Sequence, residues 1–359
     1  MSSQKQGDRP DRPAQALAGL TLPGGWVVER FLERPPQSTG GFFSVGYIVK
    51  GAADEEAFLK ALDLTSVVDA PDLPRALEAL AAAYNFERDL LQKCRVRRLT
   101  RIATPIADGS LDVPGYDLPF SRVNYLIFEL ARGDVRTHLD AAEAFDLALR
   151  LRALHHVATG LQQLHGQGIA HQDLKPSNVL VFDDYESKIG DLGRAADRLV
   201  PVPHDDLVFA GDLGYAPPEL LYGYVLPDWA ARRFGCDAYL LGSLIVFFFC
   251  RVSMTAGLIA HVDPAHHPKR WGDGFEAVLP YLRAASDIVI QQFQDEAVLQ
   301  APALAGDLTE MVRQLCEPDP RLRGHPSSRG NLTTQYDLYR FITRLDLLSR
   351  RAELGRSKP

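Results

Sequence analysis

Between His171 and Val181 the chain reads HQDLKPSNVLV, and DLG follows at Asp191–Gly193. A carboxylate (Asp173), an ammonium (Lys175) and a carboxamide (Asn178) thus stand on one short stretch, with a second carboxylate, Asp191, close behind. These are the groups that transfer of a phosphoryl group needs, because that chemistry rests on positioning and charge neutralisation more than on covalent catalysis. A carboxylate can take the proton of an acceptor hydroxyl, hard oxygens can hold Mg²⁺, and cations can hold the phosphates. Asp173 suits the first task, Asn178 and Asp191 the second, and Lys175 can balance charge on the moving phosphate. The residue between His171 and Asp173 is an uncharged Gln172.

Several elements must hold such a loop in place. WVVERFL at Trp26–Leu32 is rich in β-branched and aromatic residues, FFSVGYIVK at Phe42–Lys50 follows it, and AFLKALDL at Ala57–Leu64 is a third short apolar run carrying one Lys. They predict three strands, separated by the turn-forming ERPPQSTGG and GAADEE. From Leu73 to Cys94 apolar residues recur at helical spacing, with Asp72 placed to cap the start and Pro74 in the first turn, where a missing N–H does little harm. Two more strands are predicted around Arg101–Ala107 and at Val123–Leu130. ARGD at Ala131–Asp134 then leads into a long stretch of helical periodicity. The fold class expected is α+β, a small β-rich lobe with one helix followed by a larger α-helical lobe.

With 359 residues, 46% of them hydrophobic, the chain can bury a sizeable core. A formal charge of −7 with no dominant basic face argues against nucleic acid as a partner. The four cysteines are widely spaced, without metal-ligand spacing, and fit a reducing compartment. The most apolar run, Ala238–Cys250, is shorter than the about 20 residues a bilayer crossing needs and predicts a buried core helix, so no membrane contact is expected. The three histidines of HVDPAHHPKR at His261–Arg270 sit in a Pro-rich setting that reads as a surface loop. Residues 1–23 read as a flexible tail, 24–131 as the small lobe, 132–348 as the large lobe and 349–359 as a charged, solvated tail.

Taken together these motifs resemble the protein kinase family, in its serine/threonine branch and of the bacterial Hanks type. The resemblance is carried in order by AFLK ending at Lys60, HQDLKPSN at His171–Asn178, DLG, PPE at Pro217–Glu219, CDAYLLG at Cys236–Gly242 and EPDPRLR at Glu317–Arg323. It implies an ATP-dependent protein kinase with Mg²⁺, acting on protein substrates in the cytoplasm. By the same resemblance Lys60 pairs with the nucleotide phosphates and with a Glu of the following helix. Glu87 shares the apolar stripe with Tyr84, Leu91 and Cys94, whereas Asp89 is rotated from it by roughly 200°, so Glu87 is the expected partner. The family pattern also assigns ATP contacts to Ser38, Gly40, Gly41, Val45, Phe58, Phe128, Glu129, Ala131 and Leu180. Asp134 could meet the ribose or simply cap a helix. Glu219 with Arg323 would form a buried bracing pair, Asp237 would accept from the catalytic-loop backbone, and His171 would pack behind DLG.

The pattern is also broken in places. In STGGFFSV, laid on the family's GxGxxGxV turn, Ser38 and Phe43 replace the first and third glycines, which would stiffen the turn unless Gly40 and Gly41 keep it permissive. Phe58 stands where a small residue usually roofs the adenine, and its ring could stack on the base or fill the pocket. Asp212 replaces a bracing Thr and could bind Lys175 while repelling Asp173. The segment Arg194–Tyr215 holds no Ser or Thr, and Gln172 cannot dock a phosphate as the usual Arg does. Control by phosphorylation of that segment is therefore not expected, which leaves a tail, a regulatory partner or autophosphorylation elsewhere. A pseudokinase scaffold and a small-molecule phosphotransferase are the alternatives to an active protein kinase.

Overall fold

A computed structural model describes residues 12–33, 43–118, 120–140, 146–331 and 334–356. Ser38, Gly40 and Gly41 lie outside the described residues. The chain forms two compact units, one from the segment up to Arg98 together with Ala103–Ala131, the other from Leu99–Ile102 together with Arg132 onward.

The first unit is built on an antiparallel sheet of β1 (Val27–Leu32), β2 (Ser44–Lys50), β3 (Glu56–Leu62), β4 (Pro105–Asp112) and β5 (Arg122–Glu129), ordered β1-β2-β3-β5-β4. Alternation along the strands sorts its two faces. Val45, Tyr47 and Val49 of β2 share a buried cluster with Ala57, Leu59 and Ala61 of β3 and with Val123, Tyr125 and Ile127 of β5. Lys60 stands on the opposite face, where it bonds to helix α1 (Leu73–Val96). The Asp72 side chain caps α1 by accepting from the Arg75 N–H.

The expectation of a flexible tail over residues 1–23 is corrected for its described part. Ala14, Leu17 and Leu22 are buried in the cluster above. Val28 exchanges backbone bonds with this segment, accepting from Gly19 N–H at 2.7 Å and donating to Leu20 O at 2.9 Å. The Tyr47 hydroxyl, buried in an apolar face, donates to Ala14 O at 2.7 Å. Burial pushes that phenol up to about 12, so it stays a donor. Three apolar residues scattered among Pro and Arg show no periodicity, and what recruits them is the sheet face and a buried hydroxyl that need covering.

The fourth strand also lies later than predicted. Residues 99–102 leave the sheet and join the second unit, where Arg101 O accepts from Ile189 N–H at 2.8 Å.

Among the described residues the second unit holds five short strands: β6 (Gly133–Asp134), β7 (Ile169–Ala170), β8 (Val179–Val181), β9 (Ser187–Ile189) and β10 (Ala196–Asp197). They form two ribbons, β10-β7 and β6-β8-β9, on a helical body. Its helices are α2 (Val135–Asp140), α3 (Leu147–His165), α4 (Pro218–Leu221), α5 (Trp229–Cys250), α6 (Met254–His261), α7 (Phe275–Gln300), α8 (Ala305–Leu315) and α9 (Tyr339–Arg356). The apolar run at 238–250 extends into all 22 residues of α5. Among the described residues this helix is long and apolar enough to cross a membrane, yet 83% of its most apolar stretch is buried inside the protein, as in a core helix. The C-terminal tail expected from residue 349 is in fact helical through Arg356. Ser349 is buried and Glu353 pairs with Arg152 of α3, so the helix continues past Leu348 with a contact to α3.

Candidate active site

His171–Asn178 form a buried loop between β7 and β8, and α5 supports it from beneath. Asp237, fully buried, accepts the His171 N–H on Oδ2 and the Gln172 N–H on Oδ1, each at 2.8 Å, while His165 Nε2 lies 2.9 Å from Oδ2. Burial alone would raise this carboxyl, but His165, His171 and the loop N–H groups hold it below the usual range. The same bonds keep Gln172 at φ +66°, in the left-handed region that non-glycine residues rarely adopt.

His171 packs with Nε2 3.1 Å from Gly190 O and Nδ1 accepting the Asp173 N–H at 3.3 Å, so the ring ties the loop to the residue just before DLG. Asp173 is 7% exposed. Its Oδ1 accepts the Asp212 N–H at 2.8 Å, and its Oδ2 lies 3.1 Å from both Lys175 Nζ and Asn178 Nδ2. Burial raises the Asp173 carboxyl above the ordinary range, with Lys175 and the Asp212 N–H pulling the other way. Asn178 also donates from Nδ2 to Asp173 O at 2.8 Å. With that nitrogen committed, its amide oxygen is the atom it can offer to a cation. Asp191 is exposed at φ +57° and accepts from Gly193 N–H at 3.4 Å.

The expected contact of Asp212 with Lys175 is present, and against the expected repulsion of Asp173 stands a bond from the Asp212 backbone. The Asp212 carboxylate turns to Lys175 Nζ, 3.6 Å away, and to the Gly214 N–H at 3.0 Å, while its own N–H donates to Asp173. Gly211 makes that approach feasible. A Cβ there would lie 2.3 Å from Gln172 O and 2.9 Å from Asp173 Oδ1. Gly211→Ala is therefore expected to push the 211–212 backbone off the catalytic loop and to lower transfer with little effect on nucleotide affinity. Steady-state kinetics that separate kcat from the nucleotide KM check this.

In the first unit Lys60 Nζ donates to Glu87 Oε1 at 2.6 Å. Asp89 instead pairs with its neighbour Arg88 at the surface. Phe58 and Phe128 are cross-strand partners on β3 and β5, with ring centroids 6.4 Å apart. Glu129 ends β5 and Ala131 follows it, at the end of the unit.

The placement of Val45 is corrected. Val45 pairs with Ala61 and is buried in the cluster covered by residues 14–22, on the face away from Lys60. Gly46, paired with Lys60, is the β2 residue on the Lys60 face. A one-residue slip in aligning the glycine turn sends a side chain to the other side of a sheet. The result is a size exchange across the β2/β3 pair, with glycine at 46 and a ring at 58. The Phe58 ring lies against the notch that Gly46 leaves, where a Cβ would meet its Cε2 at 3.0 Å.

In the second unit Leu180 is partly exposed on β8 between the buried Val179 and Val181. The Asp134 side chain accepts the Thr137 N–H at 2.9 Å, the cap alternative of the sequence reading. Glu219 and Arg323 form a two-toothed pair, with Nη1 to Oε1 and Nη2 to Oε2 both at 2.7 Å. Among the described residues no group of three or more His, Cys, Asp and Glu side chains is arranged to hold a metal, the His261–Arg270 loop included.

A family model for the protein kinase domain matches residues 43–327. The chain belongs to the protein kinase family. Its α+β architecture is the bilobal protein kinase fold. Among similar kinases, the leucine-rich repeat receptor-like serine/threonine/tyrosine-protein kinase SOBIR1 of Arabidopsis thaliana is 26% identical over 64% of this chain and 33% of its own length. Calmodulin-binding receptor-like cytoplasmic kinase 2 of the same plant is 35% identical over 33% of this chain and 29% of its own length. MDIS1-interacting receptor like kinase 2, also of Arabidopsis thaliana, is 33% identical over 34% of this chain and 12% of its own length. The kinase therefore spans a third or less of each of these relatives.

Among the residues of this kinase that the sequence alone did not single out are Gly46, Gly211 and Arg233. Arg233 alone left a usable signal. It stands four residues before Asp237 on one helix, hence on the same buried stripe, where a guanidinium requires partners.

Proposed function

We propose that this kinase is an active Mg·ATP-dependent enzyme that transfers the γ-phosphate to Ser or Thr hydroxyls of protein substrates in the cytoplasm, without needing phosphate on its own activation segment. The observation that carries the reading is the state of Asp173. Its carboxylate is buried and oriented by three donors, yet it is part of a set that also contains Lys60 paired to Glu87, Lys175, Asn178 and Asp191. Asp173 would orient the acceptor hydroxyl and take its proton, and Lys175 would neutralise charge on the moving phosphate. Lys60, held by Glu87, would bind the α and β phosphates. The Asn178 amide oxygen and the Asp191 carboxylate fit Mg²⁺, which prefers hard oxygen donors and would supply further charge neutralisation. The Ser/Thr assignment follows the DLKPSN loop and the kinase names of the relatives, and the Hanks-type bacterial origin follows the motif order and an Arg-rich basic complement.

Incubation with γ-labelled ATP, Mg²⁺ and protein or peptide acceptors tests the reading. Label on Ser or Thr with wild type, and its loss in Lys60→Ala, is the expected result. Nucleotide binding without label on any acceptor would mean a scaffold, and label on small metabolites alone would mean a different phosphotransferase.

Phe58, we infer, presents its ring to the base from the Lys60 face, and Gly46 is what lets the ring lie back. Gly46→Val should force the ring out of its notch and weaken binding of a fluorescent ATP analogue by roughly tenfold, an overpacking effect on the scale of about 1–3 kcal/mol. Adding Phe58→Ala should recover most of that affinity. Equal affinity for Gly46→Val and wild type would show that the notch is irrelevant to the base.

A further inference from the structure

The activation segment of this kinase has no Ser or Thr to phosphorylate and no Arg beside the catalytic Asp to receive a phosphate. It is nevertheless tied down at several points. At its start β10 pairs with β7, which leads into the catalytic loop. His204 is buried with Nε2 within 3.0 Å of Arg194 O and 3.1 Å of Ala195 O. At its end Asp212 N–H reaches Asp173. The stretch 198–210 that holds His204 is otherwise largely exposed, and among the described residues its ion pair with the helical body is made by Asp205.

That contact runs to Arg233 of α5, whose side chain is 1% exposed. Its Nη2 donates to Asp205 Oδ1 at 3.1 Å and its Nη1 to Gln172 Oε1 at 3.2 Å. The amide end of Gln172 returns a bond, Nε2 to Arg233 O at 2.9 Å, so Gln172 is clamped to the arginine from both ends. Asp205 in turn accepts the Val202 N–H on Oδ2 at 3.2 Å, which folds the segment around its carboxylate. The other carboxylate near Arg233 along α5, Asp237, is taken up by the loop N–H groups and His165. A guanidinium this deeply buried needs an anion, since an unpaired buried charge is strongly unfavourable. Asp205 is the anion that the structure supplies.

We propose that Arg233 is a positioning residue that does from α5 what Gln172 cannot do from the catalytic loop. It tethers the activation segment through the permanent carboxylate of Asp205, with Gln172 fixing its direction, so the segment is set for transfer without a phosphate. The exchange is geometric. The cation moves from the loop to the helix beneath it, and the phosphate is replaced by a carboxylate that the chain always carries. This proposal rests on the kinase reading above and adds how that activity is kept on.

Asp205 is half-exposed, so its variants should fold, and Asp205→Asn is nearly isosteric. Hydrogen exchange by mass spectrometry on the full chain should show faster exchange confined to about residues 198–210 in Asp205→Asn. The kcat for peptide phosphorylation should fall roughly tenfold, the nucleotide KM should hold, and Asp205→Glu should restore both readouts. Unchanged exchange and kcat in Asp205→Asn would overturn the tether, as would a drop in unfolding temperature with no change confined to the segment. A segment that loosens in Asp205→Asn of a protein that transfers no phosphate would uphold the tether and overturn the kinase reading instead.

Discussion

Asp173→Asn is expected to lower kcat for phosphoryl transfer by about 10²–10⁴-fold, the usual contribution of a positioned general base, while affinity for Mg·ATP stays near wild type. The substitution preserves size and leaves an oxygen to accept the Asp212 N–H. It removes the proton acceptor and the negative partner of Lys175, which lies 3.1 Å from Oδ2. Nucleotide affinity is assigned to other groups, chiefly Lys60 with Glu87, so kcat and the nucleotide KM should separate. Single-turnover kinetics and a binding titration on the same preparation check the split, with thermal unfolding as the control for fold. A variant that retains wild-type kcat would remove Asp173 from the chemistry.

Breaking the Glu219–Arg323 pair should give the largest effect on stability. Either Glu219→Gln or Arg323→Met is expected to destabilise the second unit by about 3–5 kcal/mol. Arg323 is fully buried, held by both Glu219 oxygens and bonded to Glu317 O and Gly235 O, each at 3.1 Å. Its guanidinium also lies over the Tyr239 ring, 5.0 Å from the centroid. Burial by itself would lower the arginine's pKa, but the Glu219 carboxylate more than offsets this and the net shift is upward. Each single variant strands a charge or an orphaned donor set in the interior. Urea unfolding of the two single variants and of Glu219→Gln/Arg323→Met measures this. The double variant should be markedly less destabilised than the sum of the singles, because no buried charge remains unpaired. Strict additivity would mean that the two side chains act independently.

Much of the site was readable because its chemistry dictates residue types. Asp173, Lys175, Asn178 and Asp191 lie within 19 residues of one another along the chain. Helical periodicity separated Glu87 from Asp89, since an angle of roughly 200° puts them on opposite sides of α1. Asp237 stood out as a carboxylate opening an apolar run, and only a buried role explains a carboxylate there.

What escaped the reading depended on partners remote in sequence. Val45 was assigned to the wrong face because the glycine-poor turn offers no anchor for register, and a slip of one residue inverts a strand. The burial of residues 14–22 depends on a sheet face that does not exist until β2, β3 and β5 pair.

The clearest division is at Gln172. By itself the sequence determined that the usual receiver and site of a phosphate switch are missing here, because residue 172 is a neutral amide and the segment Arg194–Tyr215 holds no Ser or Thr. The Asp205–Arg233–Gln172 arrangement was decided only by the tertiary structure. Arg232 and Arg233 are adjacent and chemically identical in the sequence. The rotation of α5 and its packing under the catalytic loop bury Arg233 at 1% exposure beside Gln172, 61 residues away along the chain. Burial is what gives that charge its strength, because removing water raises both the penalty for leaving it unpaired and the attraction to Asp205.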